Sequence, residues 1–147
     1  MRLPSFLREF FRQFLAETPH RTLGQQGEHL AARFLTHRCG MQVVARNVRV
    51  PVGRNQAGAR VYGELDIVAF DGPTLVFVEV KTRTTADFAT PEGLVTCRKR
   101  DRLVRAARRY RTLIGPSDAP YRFDLVSLVV SPGARPIVQL FKDFLRP

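Results

Sequence analysis

Apolar residues recur along this chain with two different periods, and the switches between them mark out its elements. Leu3, Phe6, Leu7, Phe10, Phe11, Phe14 and Leu15 follow the i, i+3, i+4, i+7 spacing of one helix face, which predicts an amphipathic helix over residues 1–20, broken at Thr18-Pro19-His20. A second helix is predicted over residues 24–38, with Leu30, Ala31, Phe34 and Leu35 turned inward and Gly40 as its stop. The period then falls to two. Strands are predicted at 41–50, carried by Val43, Val44, Val48 and Val50, and at 61–70 and 74–82, the last two joined through Asp71-Gly72-Pro73. Residues 51–60 between the first two have the composition of a flexible basic loop. A long helix follows within 91–113, with Leu103, Ala107 and Tyr110 as its buried stripe, then a strand at 121–130 and a short final strand in 136–145. The order αβββαβ, with three consecutive strands between helices, predicts an α/β fold: a mixed sheet flanked by helices. Residues 21–147 form one domain in this reading, and residues 1–20 are an amphipathic extension.

Charge narrows the partners. The chain has 147 residues, with 24 Lys and Arg against 13 Asp and Glu, a net charge of +11. That balance favours a polyanion, nucleic acid or an anionic membrane surface. A hydrophobic content of 44% with 11 Phe excludes a disordered basic tail. No apolar run is long enough to span a membrane, and Arg8, Glu9 and Arg12 interrupt the first helix in a way no secretory signal would. That helix packs on the body, waits for a partner or lies on a membrane surface. Cys39 and Cys97 form no CxxC and lie near no His pair, which argues against structural zinc and for a reduced, cytoplasmic chain with both thiols in the core. His20, His29 and His37 have no metal-ligand spacing and read as surface residues.

Candidate chemistry concentrates in Gly63-Glu64-Leu65-Asp66 and Val78-Glu79-Val80-Lys81. If residues 71–74 form a four-residue hairpin loop, position 70 faces 75, Asp66 faces Glu79 and Glu64 faces Lys81, all on one face of the sheet, while Leu65, Ile67, Ala69, Val76, Val78 and Val80 turn to the core. Directly opposed residues hold their Cβ atoms roughly 4.5–5.5 Å apart, so Asp66 and Glu79 need a neutralising partner. A hard divalent cation, Mg²⁺ or Mn²⁺, serves through one or two carboxylates plus water and a substrate phosphate, with Lys81 beside it to orient or polarise an attacking water. The competing reading is a Glu64–Lys81 salt bridge and a solvated acidic face. Charge within so apolar a run weighs against it, as does a lysine at 81 in a chain whose only others are Lys99 and Lys142.

Asp66 followed by Glu79-x-Lys81 resembles the PD-(D/E)XK nucleases of the restriction-endonuclease-like superfamily. The wider set is more specific: Gly27-Glu28, Arg46-Asn47, Gly63-Glu64-x-Asp66, Phe77-Val78-Glu79-Val80-Lys81-Thr82-Arg83, Lys99, Ala106, Tyr110 and Arg122-Phe123-Asp124 together resemble the bacterial YraN-like family, UPF0102, over about residues 22–130. The layout is also similar to archaeal Holliday-junction resolvases, which makes branched DNA a candidate substrate. The resemblance implies that Asp66, Glu79 and the Val80 backbone carbonyl ligate the metal, that Glu28 completes the site from the first helix, and that Lys81 is the catalytic lysine. Glu64 is auxiliary, an outer carboxylate or a partner for Lys81. The loop 51–60 is longer than the family's usual connection.

Between 98 and 111 stand Arg98, Lys99, Arg100, Arg102, Arg105, Arg108, Arg109 and Arg111 against the single acid Asp101. Lys99 is expected over the sheet end, toward the site or a phosphate, and Arg98, Arg102, Arg105 and Arg109 on the outward face as nucleic-acid contacts or as a solvated face. Arg122 with Asp124 reads equally as an internal salt bridge or a substrate contact, and Tyr62 as a strand-edge aromatic or a base-stacking group. The expected function is metal-dependent hydrolysis of nucleic acid, DNA rather than RNA; a non-catalytic nucleic-acid-binding module on the same fold is the alternative. A homodimer stays open.

Overall fold

The structure is a computed structural model that describes residues 22–84, 91–115 and 118–147. The expected helix over 1–20 lies outside the described residues. Thr22 opens the body with a capping box: its hydroxyl accepts from the Gln25 N–H, and the Gln25 side chain accepts from the Thr22 N–H. Helix α1 then runs Leu23–Cys39 and closes at Gly40, burying Leu30, Ala31, Ala32 and Leu35. Three strands follow, β1 (Gln42–Arg54), β2 (Arg60–Asp71) and β3 (Thr74–Arg83), then the short α2 (Pro91–Leu94), α3 (Cys97–Leu113), β4 (Tyr121–Val129) and β5 (Ile137–Leu145). The single break within the expected 91–113 helix is at Thr96, whose hydroxyl caps α3 by accepting from the Lys99 N–H.

The sheet has the order β1-β2-β3-β4-β5. Neighbours are antiparallel except β3 and β4, which are parallel and joined by the α2–α3 crossover. The expected mixed sheet between helices is therefore what forms, with the last strand a full nine residues along the β4 edge. Residues 51–60 are not a loose loop. β1 and β2 stay paired out to Arg54 and Arg60, and only residues 55–59 turn. The β2–β3 register agrees with the expected offset, Phe70 facing Leu75, although the ladder continues to Asp71 and Thr74 and leaves a two-residue turn.

Each helix covers one face. Under α1, Leu30, Ala31 and Leu35 meet Ile67, Ala69, Val76, Val78, Val80, Val126 and Leu128. Under α3, Leu103, Ala106 and Ala107 meet Val50, Leu65, Val68, Leu75, Phe77 and Phe123, with Tyr110 at the margin of that stripe. Leu65 and Val68 share a layer although they are three residues apart, so strict alternation slips in β2 and the expectation that Leu65 faces the same way as Ile67 fails. Asn47, the β1 residue between the Arg46–Ile67 and Val48–Leu65 pairs, has φ 50, a left-handed conformation that Asn tolerates better than most residues. The distortion falls beside Asp66.

Both thiols were expected in the core, but Cys97 is exposed at the start of α3 and only Cys39 is partly covered. Arg122 and Asp124 form an internal salt bridge: the guanidinium reaches both Asp124 carboxylate oxygens, at 3.0 and 3.2 Å, and Asp71 at 2.6 Å, while Asp124 also accepts the Asp143 N–H. This cluster ties the β2–β3 turn to β4 and β5. Among the described residues no helix is long and apolar enough to cross a membrane.

Gly63 sets how closely α3 approaches the hairpin. A Cβ there would stand 2.7 Å from the Ala106 Cβ and 3.1 Å from Val52 Cγ1. Gly63→Ala is expected to destabilise the protein by about 1–3 kcal/mol through overpacking. Gly24→Ala, where a Cβ meets nothing within 4 Å, is expected to be neutral or slightly stabilising in its helix. Denaturant midpoints of the two variants check the pair; equal midpoints would mean α3 is free to shift.

Candidate active site

Strands β2 and β3 part company at one point. Their ladder is regular from Asp71–Thr74 to Ile67–Val78 and goes no further. Beyond it β2 continues with β1 toward Arg60, and β3 continues with β4 to Arg83–Val129. The next residues along each strand are Asp66 and Glu79. Asp66 bridges the opening, its Oδ2 accepting the Val80 N–H at 2.9 Å, so a carboxylate takes the place of a ladder carbonyl. The expected opposition of Asp66 and Glu79 thus falls at a fork in the sheet.

Glu79 is almost completely buried, at 1% exposure. Its position on β3 puts it in the α3-side layer with Leu75 and Phe77, and α3 brings Lys99 over it. Lys81 Nζ lies 3.3 Å and Lys99 Nζ 3.5 Å from Glu79 Oε1. Oε2 is also buried and has no hydrogen-bond partner. Burial, then repulsion from Asp66, pushes the carboxyl up to about 7, against the pull of Lys99 and Lys81. A buried acceptor with nothing to accept from is costly, and a cation or a proton removes the cost.

Glu28 approaches from α1. Gly27 beside it packs directly on the Thr82 side chain of β3, where any Cβ would collide. That contact lets α1 lie close enough for Glu28 to sense Asp66. The Glu28 carboxyl is held above the usual carboxylate range by burial first and by Asp66 second, offset by a hydrogen bond with Asn47 and by the Arg46 charge. With Gln25, His29, Arg46 and Asn47 it lines a cavity of about 440 Å³. Arg46 and Asn47 had no role assigned from the sequence beyond their place in the motif, and the left-handed Asn47 was not legible there.

Glu64 stands apart. It is exposed and pairs at 3.7 Å with Arg49, its neighbour across the β1–β2 ladder, rather than with Lys81. The ladder ends before position 64 could face 81, and Lys81 turns to Glu79 on its own strand. Arg49 also lies over the exposed Tyr62 ring, 4.9 Å from its centroid. Lys99 meets the site as expected. Arg98, Arg102, Arg105 and Arg109 all lie exposed on α3.

Among the described residues, no three of His, Cys, Asp and Glu stand close enough together to hold a metal by themselves. The carboxylates at the fork are Asp66 and Glu79, with the Val80 N–H bound to the first. Such a set does not suit zinc, which takes three or four protein ligands. It does suit Mg²⁺ or Mn²⁺, which keep several waters and take one or two carboxylates plus substrate phosphate. The unpartnered Glu79 Oε2 is the atom that fits such an ion.

The family described as uncharacterised protein family UPF0102 matches residues 27–128. Similar chains include UPF0102 proteins of Nocardia farcinica, 44% identical across 82% of this chain and 86% of the relative, and of Symbiobacterium thermophilum, 42% identical across 78% and 88%. A third, of Solibacter usitatus, is 45% identical across 73% of this chain and 74% of its own. A solved structure, that of SSO0001, is similar at TM-score 0.39 and 14% identity, covering 96% of this chain and 62% of that one.

The raised Glu79 carboxyl makes stability depend on pH with a definite sign. Below its unfolded value of 4.5 both states are protonated and burial of this group costs nothing through ionisation. As pH rises from 4.5 to about 7 the unfolded chain loses this proton while the folded one keeps it, so stability falls, and above 7 the loss is complete. Glu79→Gln is therefore expected to melt at a higher temperature than the wild type above pH 7 and at about the same temperature below 4.5. Thermal melts across that range check it; a constant difference would mean that Glu79 ionises as an ordinary exposed carboxylate.

Proposed function

The chain belongs to the UPF0102 family, and from the buried carboxylate at the sheet fork we propose that it is a PD-(D/E)XK-type nuclease, using Mg²⁺ or Mn²⁺ to hydrolyse nucleic-acid phosphodiesters. The single observation that carries this reading is Glu79: buried, with one oxygen between two lysines and the other unpartnered. In this reading Asp66, Glu79 and the Val80 carbonyl hold the ion, with Glu28 near enough to join through water. A bound divalent ion supplies charge neutralisation at the phosphate and a lowered pKa for water.

The chain's own residues do the rest. Asp66 accepts the Val80 N–H and so holds β3 against the fork just before Lys81. Lys81 is about one-third exposed beside a nearly sealed carboxylate, so it can meet solvent and substrate while Glu79 holds its amine in place. Its charge orients the attacking water and offsets negative charge developing on the phosphate. Lys99 acts as a second cation from α3, and the α3 arginines supply sequence-independent attraction to the backbone. Branched DNA remains the candidate substrate from the family's layout.

A second reading is a nucleic-acid-binding module without catalysis, and one observation favours it. Lys81 and Lys99 already pair with Glu79, and their two charges match those of Glu79 and neighbouring Asp66, so the cluster is neutral without an ion.

Cleavage assays with Mn²⁺ on duplexes, flaps and junctions separate the two. Wild-type protein is expected to cut; Glu79→Ala is expected to abolish cutting while nucleic-acid binding is kept or strengthened. Lys81→Ala is expected to slow it by about 10²–10³-fold, the usual cost of removing one group that stabilises charge in the transition state. Calorimetric titration of Mn²⁺ is expected to show binding to the wild type and little to Asp66→Asn. A wild type that binds DNA but cuts no substrate establishes the binding module instead.

A further inference from the structure

The residues that read as a loose loop in the sequence form one wall of a second site. Where β1 and β2 run on to Arg54 and Arg60, they curl over α3, locked there by the Gly63–Ala106 approach and by Val52. Between hairpin and helix lies a groove of about 670 Å³ that includes Arg54, Arg60, Arg105, Arg108 and Arg109 in its lining, and no acidic residue. All five arginines are exposed. Arg54 is braced by donating to the Gly58 carbonyl within the turn, at 2.6 Å. Five guanidiniums around one concavity with no acid give it a positive potential that favours an anionic occupant, and their planar forks match phosphate oxygens.

The groove is distinct from the fork but is built on the same elements. Lys99 marks the fork end of α3, and Arg105, Arg108 and Arg109 follow it by about 9–15 Å at the helical rise. On a duplex advancing about 3.4 Å per nucleotide of a strand, that is a displacement of about three to four base pairs. We propose that this groove binds the phosphodiester backbone of a nucleic acid about three to four base pairs away from the phosphate at Glu79, fixing the register of the strand across the site. The inference deepens the nuclease reading and rests on it for the position of the reacting phosphate. The backbone contact itself does not require cutting.

The test measures affinity for a mixed-sequence DNA duplex against salt, in EDTA so that nothing is cleaved. Each neutralised phosphate contributes about 0.9 to the slope of log affinity against log salt. Arg54→Gln/Arg60→Gln/Arg108→Gln is expected to lower the slope by about 2–3. A control with the same charge change elsewhere on the exposed surface, Arg33→Gln/Arg38→Gln/Arg135→Gln, is expected to lower it by less than about 1. Circular dichroism and thermal melts establish that both variants fold. An unchanged slope in the groove variant, or an equal fall in both, overturns the proposal. So does a groove variant that loses affinity for tripolyphosphate yet keeps the duplex slope, since the groove would then serve a small phosphorylated ligand. A groove-dependent slope without Mn²⁺-dependent cleavage keeps the groove and removes the nuclease reading; cleavage with an unchanged slope does the reverse.

Discussion

A carboxylate sealed inside a sheet that both helices cover is the constraint on which the rest of this structure depends. Glu79 occupies a position in β3 that a core would fill with an apolar residue, among Phe77, Leu75 and the underside of α3. Leaving a charge there is expensive unless it is paired. Two lysines from different elements meet one of its oxygens, and the other stays open. The fork between β2 and β3 leaves the Glu79 carboxyl within the influence of Asp66 rather than against another ladder. Position and chemistry are thus set by one local departure from regular pairing.

Close packing makes the departure reproducible. Gly27 lets α1 rest on Thr82, next to Lys81, and so carries Glu28 to the Asp66 side of the fork. Gly63 lets α3 rest on the hairpin and so carries Lys99 to Glu79 and the later arginines to the groove. In each case the smallest side chain stands where backbone and helix approach most closely, and the functional group follows within a few residues. The network of Arg122, Asp124, Asp71 and Lys142 does the corresponding work at the other end, holding the turn of the β2–β3 hairpin against β4 and β5. The β4–β5 register shift between Phe123 and Leu125 falls at this same network, where the Asp124 carboxylate accepts the Asp143 N–H.

The chain's excess positive charge therefore has a definite layout. Among the described residues, basic side chains are concentrated along α3 and the hairpin facing it, while Asp66 and Glu79 stand at the fork. A phosphate-seeking surface beside an acidic centre is what a substrate of one sign and an ion of the other would require.

Much of this was legible in the sequence, because it follows from local rules. Two periods of hydrophobicity marked α1 and the strands, and a tight hairpin fixed the β2–β3 offset, which put Asp66 near Glu79. The spacing of Leu103 and Ala107 put Lys99 at the sheet end of α3. The failures were tertiary. Glu64 went to Arg49 because the ladder stops short of it, Leu65 changed layers near the left-handed Asn47, and residues 51–60 became a wall because α3 offered the hairpin a surface. Periodicity and hairpin arithmetic state which residues share a face within one element or one ladder. Which groups meet across elements, such as Glu79 with Lys99 or Arg54 with Arg108, depends on where two helices settle on a twisted sheet, and only the packed structure decides that.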